Sequence, residues 1–130
     1  GHGVSLADFD GDGDLDIYAG LGGHYDGDTW PNALYRNDGH ANHWLEVDLR
    51  GAPPNTSAIG ARLLVRSGDH VQAAEIGSGN GFGCTNSLPT EFGLGQRTSV
   101  DELHIRWPSG RREVLTEVPA DQILRLEEAR

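Results

Sequence analysis

"VDELHIRWPSGRREVLTEV", residues 100–118, contains two runs of alternating side chains on either side of a turn. In the first run Leu103, Ile105 and Trp107 oppose Glu102, His104 and Arg106. Apolar residues at every second position mark a strand with one face in the core and one in water. Pro108-Ser109-Gly110 then supplies turn chemistry, so the stretch predicts a β-hairpin. The same period recurs upstream. Leu45, Val47 and Leu49 alternate with Glu46, Asp48 and Arg50, and Ala61, Leu63 and Val65 stand opposite Arg62 and Arg66. "RSGDH" and "VPADQ" mark further turns, and "QILRLEE" reads as a last strand. No segment sustains a 3.6-residue apolar period, so the expectation is nine or ten half-buried antiparallel strands in an all-β sandwich or barrel.

Residues 1–42 have a different texture. Short apolar islands, "VSLADF", "LDIYAG" and "NALYRN", are separated by Gly, Asp, Asn and His. This divides the chain into a small strand–loop–strand region, 1–42, and a larger β region, 43–130. Within the first lies "DFDGDGDLD", residues 8–16, with five aspartates at alternate positions. Like charges about 4 Å apart at an effective dielectric near 20 repel by about 4 kcal/mol per pair. A solvated acidic turn is the plain alternative. A hard cation resolves the repulsion, because calcium takes 6–8 oxygen ligands and a tight loop of alternate carboxylates can wrap it. With Asp8 as position 1, Asp10, Asp12 and Asp16 fall at 3, 5 and 9, and the Asp14 carbonyl falls at 7. An EF-hand is excluded, since Ala19 occupies the position of the bidentate Glu and the flanks read as strands.

Bulk properties narrow the function. Twenty acidic residues against ten basic give a formal net charge of −10, which argues against nucleic acid and anionic membranes as partners. No apolar run reaches the length of a transmembrane helix, so no membrane insertion is expected. The single cysteine, Cys84, cannot form an intrachain disulfide and reads as an inert thiol without an oriented base. A small domain without disulfides leans on a metal or a neighbour. Asp26 and Asp28, around Gly27, offer a possible second metal site, with an ordinary Asp-Gly turn as the competing reading. His2, His24, His40, His43 and His70 mostly sit near acids but lack zinc-ligand spacing. "GSGNGFGCTNS", 77–87, does not complete a nucleotide-binding glycine motif. Asn55-Thr56-Ser57 fits an N-glycosylation acceptor.

Taken together these motifs resemble a known pair of modules. "GVSLADFDGDGDLDIYAG" followed by "NALYRNDG" is similar to an FG-GAP (VCBS-type) repeat, the strand–loop–strand calcium site of integrin-type propellers. "NHWLEVDLRG", "AIGARLLV", "EFGLG", "VDELHIRWPSG" and "VPADQILRLEE" resemble, in that order, the ASPIC/UnbV domain of cartilage-acidic-protein-like proteins. The resemblance implies a secreted, calcium-binding, non-enzymatic protein, with Asp8, Asp10, Asp12, Asp14 (through its carbonyl) and Asp16 as ligands. It implies no catalytic residues, and it gives Gly60, Gly93, Gly95, Trp107, Pro108 and Gly110 turn and core roles. The family normally carries several repeats before the ASPIC module, and this chain shows one; isolated repeats bury their faces poorly.

The expected function is therefore an extracellular structural or adhesion protein in which Ca2+ rigidifies an N-terminal hairpin. Its partners would be calcium, other copies of itself, or extracellular and surface proteins. One alternative is a self-assembling filament subunit using edge strands or head-to-tail contacts. Another is a carbohydrate-binding accessory module or enzyme domain using Trp30, Trp44 or Trp107, of which Trp30 is the best exposed candidate.

Overall fold

The computed structural model describes every residue except His2, His40 and Arg130. Among the described residues there are ten strands and no helix. The chain resolves into two compact units, Gly1–Gly39 with Ser78–Ser87, and His40–Gly77 with Leu88–Arg130. Residues 78–87, which a linear division at 42/43 places in the larger region, thus belong structurally with the first.

The first unit is built on β1 (Gly3–Ala7), β2 (Asp16–Gly20) and β3 (Ala33–Tyr35), an antiparallel sheet in that order. Leu6 of β1 ties in the later segment: its N–H donates to Asn86 Oδ1 (3.0 Å) and its carbonyl accepts from Ser87 N (3.1 Å).

The second unit has β4 (His43–Arg50), β5 (Arg62–Ser67), β6 (His70–Glu75), β7 (Thr90–Gly95), β8 (Ser99–Arg106), β9 (Arg112–Pro119) and β10 (Gln122–Glu127). They form two sheets, β10-β4-β7 and β6-β5-β8-β9. Both sheets contribute to one core: Leu45, Val47, Leu49, Phe92 and Leu94 from the first, and Leu63, Val65, Leu103 and Ile105 from the second. The three alternating runs read from the sequence are the runs that face inward. Each fully buried Leu or Val stabilises the fold by about 1.5–3 kcal/mol. The architecture is sandwich-like, and no barrel closes among the described residues.

Trp107 is 1% exposed and anchors the end of this core. Its indole N–H donates to Glu113 Oε2 at 2.8 Å, which satisfies the one polar atom that burial would otherwise strand. The predicted hairpin follows directly. Gly110 N donates to the Trp107 carbonyl and Trp107 N to the Arg111 carbonyl, both at 2.9 Å. Gly110 has φ +91°, a left-handed conformation that closes a three-residue loop and that glycine adopts without strain.

One pairing departs from the antiparallel expectation: β10 runs parallel to β4, Gln122 beside Leu45 through Glu127 beside Arg50. The cause is a corner at 119–121. Ala120 N donates to the Thr98 carbonyl (2.9 Å), and then Asp121 N donates to the Trp44 carbonyl (2.7 Å). The chain thus leaves the four-stranded sheet and lands at the start of β4. It must then run in the same direction as β4, and everything between the two strands serves as the crossover. Asp121 holds the corner with φ +58°, and its carboxylate accepts from His43 Nδ1 (2.7 Å) and Trp44 N (3.3 Å).

The hydrogen bond from His43, helped by that from Trp44, holds the Asp121 carboxyl below its ordinary pKa. A lowered carboxylate pKa contributes stability above the unfolded-state value, and that contribution is lost as pH falls through the folded-state value. Asp121→Asn should therefore lower the thermal midpoint at neutral pH and reduce the further loss on acidification below the ordinary carboxylate range. Thermal melts of both proteins across that range check this; parallel curves would refute it.

Candidate metal centre

The aspartate loop joins β1 to β2, whose antiparallel pairing places Ala7 opposite Asp16. That pairing returns the chain to its starting point after eight residues, so the loop has to curl back on itself. It curls around Asp8. Oδ1 of Asp8 accepts from Gly11 N (2.7 Å) and Asp12 N (3.2 Å), and Oδ2 accepts from Gly13 N (2.9 Å). Side-chain acceptors of this kind organise tight turns. Asp12 Oδ1 takes Asp14 N (3.0 Å) in the next turn.

Asp16 is the only buried member, at 1% exposure. Its Oδ2 accepts from Phe9 N (3.0 Å) and its Oδ1 from Asn37 N (2.8 Å). One carboxylate thus joins the two ends of the loop and fastens both to the segment after β3. Asp8, Asp10 and Asp16 each present one carboxylate oxygen, and these lie within 4.8 Å of one another. Oxygens bound to one calcium at about 2.3–2.6 Å span up to about 5 Å, so the three fit a single ion. Asp12 is exposed and lies outside this group. Asp14 is half-buried beside Gly39. At Gly39 φ is +75°, which favours glycine, and an added Cβ would displace the Asp14 carboxylate.

The electrostatics agree with a cation-seeking arrangement. Removal from water, followed by repulsion from Asp12 and Asp16, raises the Asp10 pKa, and Arg36 opposes this only in part. Arg36 Nε lies 3.8 Å from Asp10 and also pairs with Asp38. Arg36, Asn37 and Gly39 were not singled out from the sequence as parts of the site. Their one local signal is the Asn-Asp-Gly turn at 37–39, in which Gly39 N donates to Asn37 Oδ1 (3.2 Å).

Other residues considered from the sequence stand apart. Asp28 stabilises its own turn, where its carbonyl accepts from Gly23 N (2.9 Å) and its N–H donates to the Tyr25 carbonyl (3.0 Å). Asp26 is exposed. Among the described residues neither joins a three-ligand group. His24 is edge-on to Tyr25, His43 bonds Asp121 and His70 is exposed; His2 and His40 lie outside the described residues. Cys84 is half-buried and borders a cleft of about 890 Å³ with Gly3, Ser5, Tyr18 and Phe82, whose lining includes no His, Asp or Glu among the described residues. Asn55 is committed to its loop, its amide donating to the Ile59 carbonyl (2.8 Å) and accepting from Ile59 N (3.2 Å). Trp107 is core, Trp44 is half-buried, and Trp30 is 76% exposed.

Ten strands, a two-sheet core and the Trp-Pro-Ser-Gly hairpin define a β module, and comparison with known proteins gives it a family. Residues 51–130 match the model of the ASPIC and UnbV family, and the chain belongs to that family. It is 33% identical over 115 residues to cartilage acidic protein 1 of Mus musculus and 32% identical over 115 residues to that of Homo sapiens. Each match covers 85% of this chain but only 17% and 16% of the relative. The chain therefore spans about one sixth of the length of these proteins.

Asp16→Ala removes the acceptor for two backbone N–H groups at once. It should destabilise the first unit by about 1–3 kcal/mol and speed hydrogen exchange at Phe9 and Asn37. Amide exchange read by NMR or mass spectrometry checks this, with exchange in β8 as the unaffected reference.

Proposed function

We propose that the chain is a non-enzymatic, extracellular calcium-binding protein with a structural or adhesive role, its N-terminal loop being an FG-GAP/VCBS-type site. The observation that carries this reading is the convergence of Asp8, Asp10 and Asp16 at a loop already curled around Asp8. Asp12 and the Asp14 carbonyl are the further ligands that the repeat pattern assigns. A bound Ca2+ supplies positive charge that offsets the carboxylate repulsion. The chain's own residues do the rest: Asp8 shapes the turn, and Asp16 fastens it to the segment after β3 by accepting from Asn37 N. The cartilage in the name of the similar proteins supports the extracellular setting.

Calcium should raise the stability of the first unit by about 2.7 kcal/mol at a hundredfold excess over Kd. Magnesium should do so far less, because it demands a smaller octahedral shell. Thermal melts and amide exchange over residues 8–16, with each ion in turn, test this. No shift, or an equal shift with magnesium, overturns the assignment.

Self-assembly is a second reading, favoured by β3. Its far edge pairs with no strand among the described residues, and Leu34 and Tyr35 on it are 57% and 59% exposed. Such an edge is a template for another strand. On this reading light scattering shows a mass that grows with concentration, and Leu34→Lys returns it to the monomer value; a monomer throughout rejects it.

A further inference from the structure

The outward face of the sheet β6-β5-β8-β9 is a ladder of three rungs. Register sets Glu75, Arg62, Arg106 and Arg112 side by side in the first. Ala73, Leu64, His104 and Val114 form the second, and Val71, Arg66, Glu102 and Thr116 the third.

The first rung is anomalous. The chain has twenty acidic residues and only ten basic ones, all arginine, yet three arginines stand directly opposite one another on neighbouring strands. Like charges so placed destabilise a sheet by up to about 1 kcal/mol per pair. Most charges on this face are matched, Arg62 of the first rung included. Arg62 Nε meets Glu75 at 2.8 Å, Arg66 Nε lies 3.9 Å from Glu102, and Glu102 also holds His104 Nε2 at 2.8 Å. Arg106 and Arg112 make no ion pair among the described residues, and both are exposed. Beside them the second rung is largely apolar, with Val114 53% exposed. The two rungs line a shallow cleft of about 380 Å³ that includes Arg62, Leu64, His104, Arg106, Arg112 and Val114; its one carboxylate, Glu113, is engaged by the Trp107 indole N–H.

We propose that this cleft binds an acidic segment of a partner protein, with the pattern acid-x-apolar. Adjacent strands lie about 4.8 Å apart, so the Arg106 and Arg112 guanidiniums can share one carboxylate, each donating to a different oxygen. An extended peptide parallel to β8 and β9 advances by about 6.8 Å in two residues, which is also the separation of successive rungs. An acid shared by Arg106 and Arg112 therefore places the side chain two residues away over His104 and Val114, with Leu64 beyond His104 on the same rung. The overall charge of −10 disfavours a long polyanion, which would run off the arginines onto acidic surface. It leaves a short acid free to bind where the local field is positive.

Fluorescence anisotropy with a labelled peptide containing Glu-Ser-Leu tests the proposal, alongside the Gln-Ser-Leu and Glu-Ser-Ser versions. The first should bind and both controls should bind more weakly. Arg106→Gln and Arg112→Gln should each weaken binding about tenfold. Arg50→Gln, exposed at the end of β4, should leave it unchanged. Amide shifts of the whole protein should map to residues 62–64, 104–106 and 112–114. No binding, equal binding of the Gln peptide, indifference to both arginine substitutions, or preference for a sulfated oligosaccharide at the same arginines overturns it.

Discussion

The second unit rests on one constraint: each of its sheets has a single apolar face, and those faces have to leave water together. Leu45, Val47 and Leu49 on one side and Leu63, Val65, Leu103 and Ile105 on the other share one core. This requirement fixes strand register, because a slip of one residue would turn every apolar side chain outward. It also explains Asp121. To close the core against β4 the chain has to cross between sheets in a few residues, and a left-handed corner held by His43 and Trp44 achieves that. The parallel β10-β4 pairing follows from where that corner lands.

The first unit solves a different problem. Its sheet has three short strands and much exposed apolar surface, so local hydrogen bonding carries more of the organisation. Asp8 gathers three backbone N–H groups of its own loop, and Asp16 spans from Phe9 to Asn37. Both interactions aim carboxylate oxygens at a common point. Gathering them costs desolvation first and mutual repulsion second, and the two together raise the pKa of Asp10.

The same alternation that builds the core also organises the surface. Since Leu63 and Ile105 face inward, Arg62, Arg106 and Arg112 face outward, and antiparallel register brings them into one row. Sequence separations of 44 and 6 residues collapse to the distance between neighbouring strands. A strongly acidic chain thereby acquires a local positive field next to an apolar row, which neither composition nor net charge reveals.

Much of this was legible in the residues alone. Period-two runs, the Pro-Ser-Gly turn and the absence of helical periodicity determined an all-β chain, its inward-facing residues and the burial of Trp107. Those signals are local, so they survive without knowledge of partners. The aspartate spacing marked a loop, but not which carboxylates converge: that depends on Asn37 and on strand pairing that returns Asp16 beside Ala7. Tertiary structure alone decided that residues 78–87 join the first unit, that β10 runs parallel to β4, and that the three arginines meet. Each of these is a pairing between distant segments, set by which faces and edges remain to be covered once the local elements have formed, and no short window of sequence contains that information.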